Sequence, residues 1–210
     1  MAAPLVTGCA AILRQALELA NRKPTAALLK ALIINGAYSL YQGPNPPNGF
    51  GHVCLKRSFH IDSETEGFIS RKQKPLTKAP HGTDTIVKHL TVPDRTGVDT
   101  SINRASRGPT VHPPPGCGQT LKVTLAYTDR FGAMLLNNLN MIVRCGEKES
   151  KCERHGNMGT STGFNMDNNV EQILWKGIPP GDVRIIVRAT NIASKKLDYA
   201  LVWRLFPGEE

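Results

Sequence analysis

The chain is poor in the features that mark several functional classes. No apolar run approaches the ~20 residues that a membrane-spanning helix needs, so no membrane partner is expected. Aromatic residues make up 6% of the 210 residues, too few for a base-stacking or sugar-stacking platform to stand out. There is no C-x-x-C pair and no clustered histidine, which argues against a zinc site. Nor is a secretory leader visible. Val6-Thr7-Gly8-Cys9 resembles the cleavage box of a bacterial lipoprotein, but no Lys or Arg precedes it and the apolar stretch before it is too short. Any secretion signal would have to lie upstream of Met1.

What the chain has in excess is positive charge. Against 17 acidic residues it carries 26 Lys and Arg, a formal net charge of +9. The cations are spread along the sequence. The densest group, Arg71, Lys72, Lys74 and Lys78, falls in a Pro- and Gly-containing loop region. That distribution reads as a solvated surface, and no nucleic-acid partner is expected. Cysteines number five. Cys145 and Cys152 bracket a short polar loop and can close a disulfide, which suits an oxidising compartment. Cys9 lies on an apolar helix face, as a small buried thiol does. The pairing of Cys54 and Cys117 is left open.

Two apolar helical patterns open the chain. Pro4 suits a first turn, and Leu5, Cys9, Ile12, Leu13, Ala16, Leu17 and Ala20 recur at helical spacing. Asn21-Arg22-Lys23 ends that helix. Pro24 is expected to start a second, with Leu28, Leu29, Leu32 and Ile33 apolar and Gly36 as its C-terminal cap. Both are too apolar to stand alone. A turn-rich stretch follows to Gly51, then a short apolar segment, Gly49-Phe50-Gly51-His52-Val53-Cys54-Leu55. Residues 62–118 carry little pattern beyond a candidate strand from Thr85 to Val92, and Pro113-Pro114-Pro115-Gly116 is a stiff connector. After Gly118 the period changes to two. Leu121, Val123, Leu125 and Tyr127 alternate with Lys122, Thr124 and Ala126. Leu139, Met141 and Val143 follow the same rule, as do Val183, Ile185 and Val187, and Tyr199, Leu201, Trp203 and Leu205. Half-buried strands separated by turns predict an antiparallel sandwich or jelly roll. The Asn- and Gly-rich span from Cys145 to Asn169 is expected to be a long loop.

The expected class is therefore α+β. A helical segment at 1–60 cannot close its own core, and a β-sandwich or jelly-roll domain occupies 61–210, with its densest strand signal at 118–206.

Several runs resemble those of subtilisin-like serine proteases. Met1-Ala2-Ala3-Pro4 followed by Gly8-Cys9-Ala10-Ala11 is similar to the run after that family's catalytic serine, in the motif Gly-Thr-Ser-Met-Ala-x-Pro. Pro24-Thr25-Ala26-Ala27-Leu28 resembles the family's next, Pro-led helix. Gly49-Phe50-Gly51-His52-Val53 resembles an element near the end of the catalytic domain, with His52 where Arg is usual. Leu121 to Asp129, Asn137 to Met141, Asp167 to Glu171 and Gly181 to Ile185 resemble the C-terminal β-domain of one branch. The resemblance implies that the two helices are the tail of a subtilisin α/β catalytic domain. It also implies that the nucleophilic serine would directly precede Met1, with the family's Asp and His further upstream. This chain alone would then have no catalytic residue and no covalent route to acyl transfer. The parent protein would be a secreted, extracellular endopeptidase acting on polypeptide substrates, and the missing upstream catalytic segment would be a partner of this chain.

Two further runs offer candidate sites. Gly159-Thr160-Ser161-Thr162-Gly163 fits G-x-S-x-G, but that motif works on a strand-to-helix turn, and neither flank reads as one. Asp129, Asn138, Asn140 and Asp167 offer hard oxygens near strand ends, as calcium prefers. The β-domains this chain resembles carry Asp where it has Asn138 and Asn140, which weakens such a site. Otherwise these side chains cap turns. The alternative reading of the whole chain is a non-enzymatic β-sandwich that binds protein or polysaccharide. That reading needs an exposed aromatic surface, whereas Trp175 and Trp203 fall at strand positions suited to core packing. If the helices are a cut surface, Leu5, Ile12, Leu28 and Leu32 should expose apolar area.

Overall fold

The computed structural model describes residues 2–38, 49–59, 66–71, 83–93, 118–129, 132, 135–146, 152–158, 163–193 and 197–208. Helix α1 spans Ala2–Leu19, with Pro4 in its first turn. It stops at Asn21, whose φ of 55° is left-handed. The Arg22 amide donates to Leu17 O at 2.8 Å and the Asn21 amide to Glu18 O at 3.0 Å, so the last carbonyls are satisfied in the Schellman manner. Helix α2 spans Ala26–Gly36. Its N-cap is Thr25, whose hydroxyl accepts from the Leu28 amide at 3.1 Å. Pro24 thus precedes the cap and lies outside the helix it was expected to start. Gly36 is the last helical residue and Ala37 the C-cap. A Cβ on Gly36 would lie 2.5 Å from the Ser58 amide nitrogen, so glycine is required where α2 meets the short helix α3, Leu55–Ser58.

Among the described residues, eight strands form an antiparallel β-sandwich. They are β1 (Glu66–Arg71), β2 (Thr83–Val92), β3 (Gln119–Tyr127), β4 (Asn137–Cys145), β5 (Glu153–His155), β6 (Val170–Ile178), β7 (Gly181–Ile192) and β8 (Tyr199–Pro207). The first sheet has the order β1-β8-β3-β6, the second β2-β7-β4-β5. The alternating apolar residues meet between the sheets: Leu121, Val123 and Leu125 of β3, Met141 of β4, Ile185 of β7 and Leu201 of β8 are all fully buried there. Both tryptophans join this core.

The strands were expected to be half-buried, and β3 is not: all nine of its residues are buried. The reason is α2. It lies on the outer face of the first sheet, where Leu28, Ala31 and Leu32 pack with Ala126, Ala200 and Val202. The polar residues on that face are enclosed with them. Asn35 Nδ2 reaches Lys122 O, Thr124 Oγ1 and Val202 O at 3.2–3.3 Å. The Lys122 ammonium donates to the Ala37 carbonyl. The Ala37 carbonyl, at the C-terminal end of α2, gives this fully buried lysine an acceptor. Leu28 and Leu32, expected to be exposed, are buried for the same reason, while Leu5 and Ile12 are exposed.

The candidate strand from Thr85 to Val92 is β2, and two expectations change: the weakly patterned span 62–118 also holds β1, and the loop expected from Cys145 to Asn169 holds β5 and a tight turn, Gly156–Met158. The connector Pro113 to Gly116 and Cys117 lie outside the described residues, as does the basic group apart from the backbone of Arg71.

Candidate functional site

The chain's candidate ligand residues gather at one end of the sandwich, where β3 ends and β4 and β6 begin. Asp129 Oδ2 accepts from the amides of Leu136 at 2.7 Å and Asn137 at 3.3 Å, and Oδ1 from Asn137 Nδ2 at 2.6 Å. The carboxylate therefore ties the end of β3 to the start of β4. Buried Tyr127 links that junction to the approach to β6. Its hydroxyl donates to Asn137 O at 3.1 Å, with Asn168 O at 3.4 Å. Burial holds its phenol above the ordinary value, and the negative charges of Glu171 and Asp129 add to the rise. Asn169 grips Tyr127 from the other side: Tyr127 N donates to Asn169 O and Asn169 Nδ2 to Tyr127 O, both at 3.1 Å. Lys30 of α2 reaches Asn169 Oδ1 at 3.0 Å, which ties the helix to the same end.

The remaining candidates behave similarly. Asn138 Oδ1 accepts from Asn140 Nδ2 at 3.2 Å, and Asn140 Nδ2 also reaches Thr190 Oγ1 at 2.6 Å. Asp167 is exposed, and its amide donates to Asn165 Oδ1 at 3.2 Å. This end is rich in neutral carboxamides and poor in charge. It can fix turns and offer hard oxygens. Among the described residues no three His, Cys, Asp or Glu side chains converge on one point.

A second polar cluster sits at the other margin, on β5 and the turn after it. Arg144 Nε donates to Glu153 Oε2 at 2.9 Å, and His155 Nε2 meets Glu153 Oε1 at 2.8 Å. Burial pulls Glu153 upward, but the hydrogen bonds from Arg144 and His155 outweigh it and hold the carboxyl below its ordinary value. His155 Nδ1 is buried without a hydrogen-bond partner among the described residues. Its ring lies 5.2 Å from that of Phe164, over which Arg188 sits. The pair has the base–orienter contact of a catalytic dyad, yet no described nucleophile bonds to the ring. Gly159 to Thr162, the core of the G-x-S-x-G match, lie outside the described residues.

Beside this cluster the chain crosses from one sheet to the other. Asn157, with φ 50°, donates from Nδ2 to Val170 O at 2.8 Å and accepts at Oδ1 from Gln172 N at 3.0 Å. Its carboxamide thereby acts as a one-residue strand along the free edge of β6. Between those two contacts Glu171 turns inward, and its carboxylate accepts from the Met141 amide of β4. Burial raises the Glu171 carboxyl to about 8, partly opposed by that hydrogen bond.

No protein-family model matches this chain, and no curated protein is similar to it. The geometry therefore stands alone. It brings Asp129, Asn138 and Asn140 to neighbouring strand ends and Asp167 to the loop entering β6. Cys145 and Cys152 are free thiols facing each other across β4 and the start of β5. The bridging role of Tyr127 was not singled out from sequence, nor were Glu171 and Glu153. A signal existed for Glu171 alone, as a charged residue inside the apolar run Val170 to Ile178.

Proposed function

We propose that this chain is the C-terminal portion of a subtilisin-like serine endopeptidase, with the helices as the tail of its catalytic domain and the sandwich as its β-domain. In this reading the chain alone does not hydrolyse peptides. One observation carries it. The exposed large hydrophobics among the described residues are Leu5, Val6, Ile12, Leu19, Tyr38, Val53, Phe59, Leu136 and Met166, and all but the last two precede residue 60. Among the described residues the sandwich exposes only Leu136 and Met166 of its large hydrophobics, both outside its strands, while the segment resembling a catalytic-domain tail exposes seven. Exposed apolar area concentrated in one segment is the mark of a surface made to be covered. The order of the described strands, β1-β8-β3-β6 and β2-β7-β4-β5, supports a jelly roll as the form of the β-domain.

Calcium belongs to the same proposal, with Asp129 and Asp167 as its carboxylate ligands and Asn138 as its amide ligand. The parent protein is secreted and acts on polypeptides. Two experiments test the reading. The genomic DNA upstream of Met1 should encode Gly-Thr-Ser in frame, and its absence would count against the assignment. Serine-inhibitor-sensitive cleavage by the isolated polypeptide would refute the claim that it is inactive alone. Titration with Ca²⁺ addresses the metal: binding heat and a thermal shift lost in Asp129→Ala support it, and neither heat nor shift removes it.

The competing role, a binding module with an exposed aromatic platform, has less support, because Trp175 and Trp203 are 6% and 2% exposed.

A further inference from the structure

The two cysteines that flank the β4–β5 connection are placed for a reaction independent of any protease activity. Cys145 is the last residue of β4, and Cys152 directly precedes β5. The paired residues of β4 and β5 run Ile142 with His155, Val143 with Arg154 and Arg144 with Glu153, so the next pair outward is Cys145 with Cys152. The ladder continues to it: the Cys145 amide donates to Cys152 O at 2.9 Å. Both side chains are free thiols. Cys145 is buried in the sandwich core. Cys152 packs against that core but keeps partial exposure.

We propose that Cys145 and Cys152 are a thiol pair that a small-molecule disulfide oxidises to an intrachain disulfide, fastening edge strand β5 to β4. Cys152, the more exposed, attacks first. Its thiolate displaces one thiol from oxidised glutathione and leaves a mixed disulfide. The Cys145 thiolate then attacks the protein sulfur of that mixed disulfide and releases the second glutathione thiol. One S–S bond breaks and one forms, two protons leave the protein thiols, and the two electrons end on glutathione. Burial, reinforced by the Cys152 thiol, pushes the Cys145 thiol up to about 12, so closure is the slow step.

The consequence follows from what β5 holds. It is a three-residue strand at the sheet edge, and it leads directly into the Gly156–Met158 turn that caps β6 through Asn157. Closing the short loop ahead of β5 restricts the opened state of this margin. Oxidation should therefore protect β5 and the turn together.

The test uses the full chain, incubated with oxidised glutathione or with a reducing dithiol, then alkylated, digested and weighed. After oxidation Cys145 and Cys152 should resist alkylation and appear linked, whereas Cys9 and Cys54 should alkylate. Melting temperature should rise by roughly 5–10 °C on oxidation. Amide exchange across residues 153–157 should slow with it. Cys152→Ala, at the partly exposed position, should fold and show neither change. Cys145→Ser gives the same readout where it folds, and its failure to fold leaves Cys152→Ala to decide. Full alkylation of both thiols after oxidation, or linkage of either to another cysteine, overturns the proposal. A Cys145–Cys152 link with unchanged melting and exchange overturns the fastening role.

Discussion

The sandwich and the helical segment before it bury their apolar residues to different degrees. Between the sheets, Leu121, Leu139, Ile185 and Leu201 are wholly enclosed. In α1, Leu13 and Leu17 are buried, but Leu5 is 70% exposed and Leu19 80%. Helix α2 sides with the sandwich: Leu28 and Ala31 are fully buried against the first sheet. The boundary of the core therefore runs along α1, whose Leu13 and Leu17 join the cluster of α2 and the sheet while its other face stays open, and not between helix and sheet. The interface it encloses is polar as well as apolar, since Asn35, Lys122 and Gln172 meet across it. Buried polar groups with directed partners fix the helix's position in a way that apolar contact alone does not.

The largest effect that could break this comparison is at Leu28. Leu28→Ala removes a side chain from the helix–sheet interface and should cost about 2–5 kcal/mol, as a core truncation does. Denaturant unfolding measures it, with Leu139→Ala as the sandwich reference. A cost below that of an ordinary surface change would mean that α2 is not part of the sandwich's core.

Next is Glu171, which joins the two sheets at the crossover. Its carboxyl is raised from 4.5 to about 8. The folded state thus holds its proton more tightly than the unfolded chain. The stability this contributes is full below about pH 4.5 and is lost as pH rises through 8, a change of a few kcal/mol in order of magnitude. Glu171→Gln keeps an acceptor for the Met141 amide and cannot ionise. Its melting temperature relative to the parent should be level near pH 5 and increasingly higher toward pH 8. A difference that stays constant with pH would contradict the linkage.

How far the sequence disclosed these elements depends on what each strand faces. β3, β4, β7 and β8 read clearly because each sends alternate apolar residues into the space between the sheets. β1 and β2 are edge strands of the two sheets, and edges bury less. β2 was still legible as a strand from Thr85 to Val92, although Lys88, His89, Thr91 and a register shift between Ile86 and Lys88 weaken its period. β5 has only three residues, too few for any period. The burial of Lys122 was illegible because its acceptor, the Ala37 carbonyl, lies 85 positions away on a helix assigned to another unit. At the Asn-rich end the oxygen donors were legible by type. Their partners were not, because Tyr127 meets Asn168 across 41 positions and Lys30 meets Asn169 across 139.

Asp129 gives the third prediction. Three N–H groups converge on its carboxylate, so Asp129→Ala should cost about 1–3 kcal/mol, and Asp129→Asn less, since one oxygen remains. Urea unfolding without added metal separates this strand-tying role from any calcium effect. A loss that appears only when Ca²⁺ is present would reverse the order of importance.

The smallest expected effect probes the comparison most directly. Leu5, Ile12 and Leu19 are spaced seven residues apart, so they form one stripe along α1. All three are exposed, while Leu13 and Leu17 on the same helix are buried. An exposed side chain gives up little transfer free energy on truncation. Each of Leu5→Ser, Ile12→Ser and Leu19→Ser should therefore change stability by less than about 0.5 kcal/mol. Solubility should respond instead, because the stripe is contiguous apolar area offered to other molecules. Light scattering against protein concentration should show less self-association in the triple variant, with the melting temperature of the dilute protein unchanged. If the triple variant instead melts several degrees lower, this face packs within the chain. The contrast between α1 and the sandwich would then disappear, and with it the observation on which the catalytic-domain reading rests.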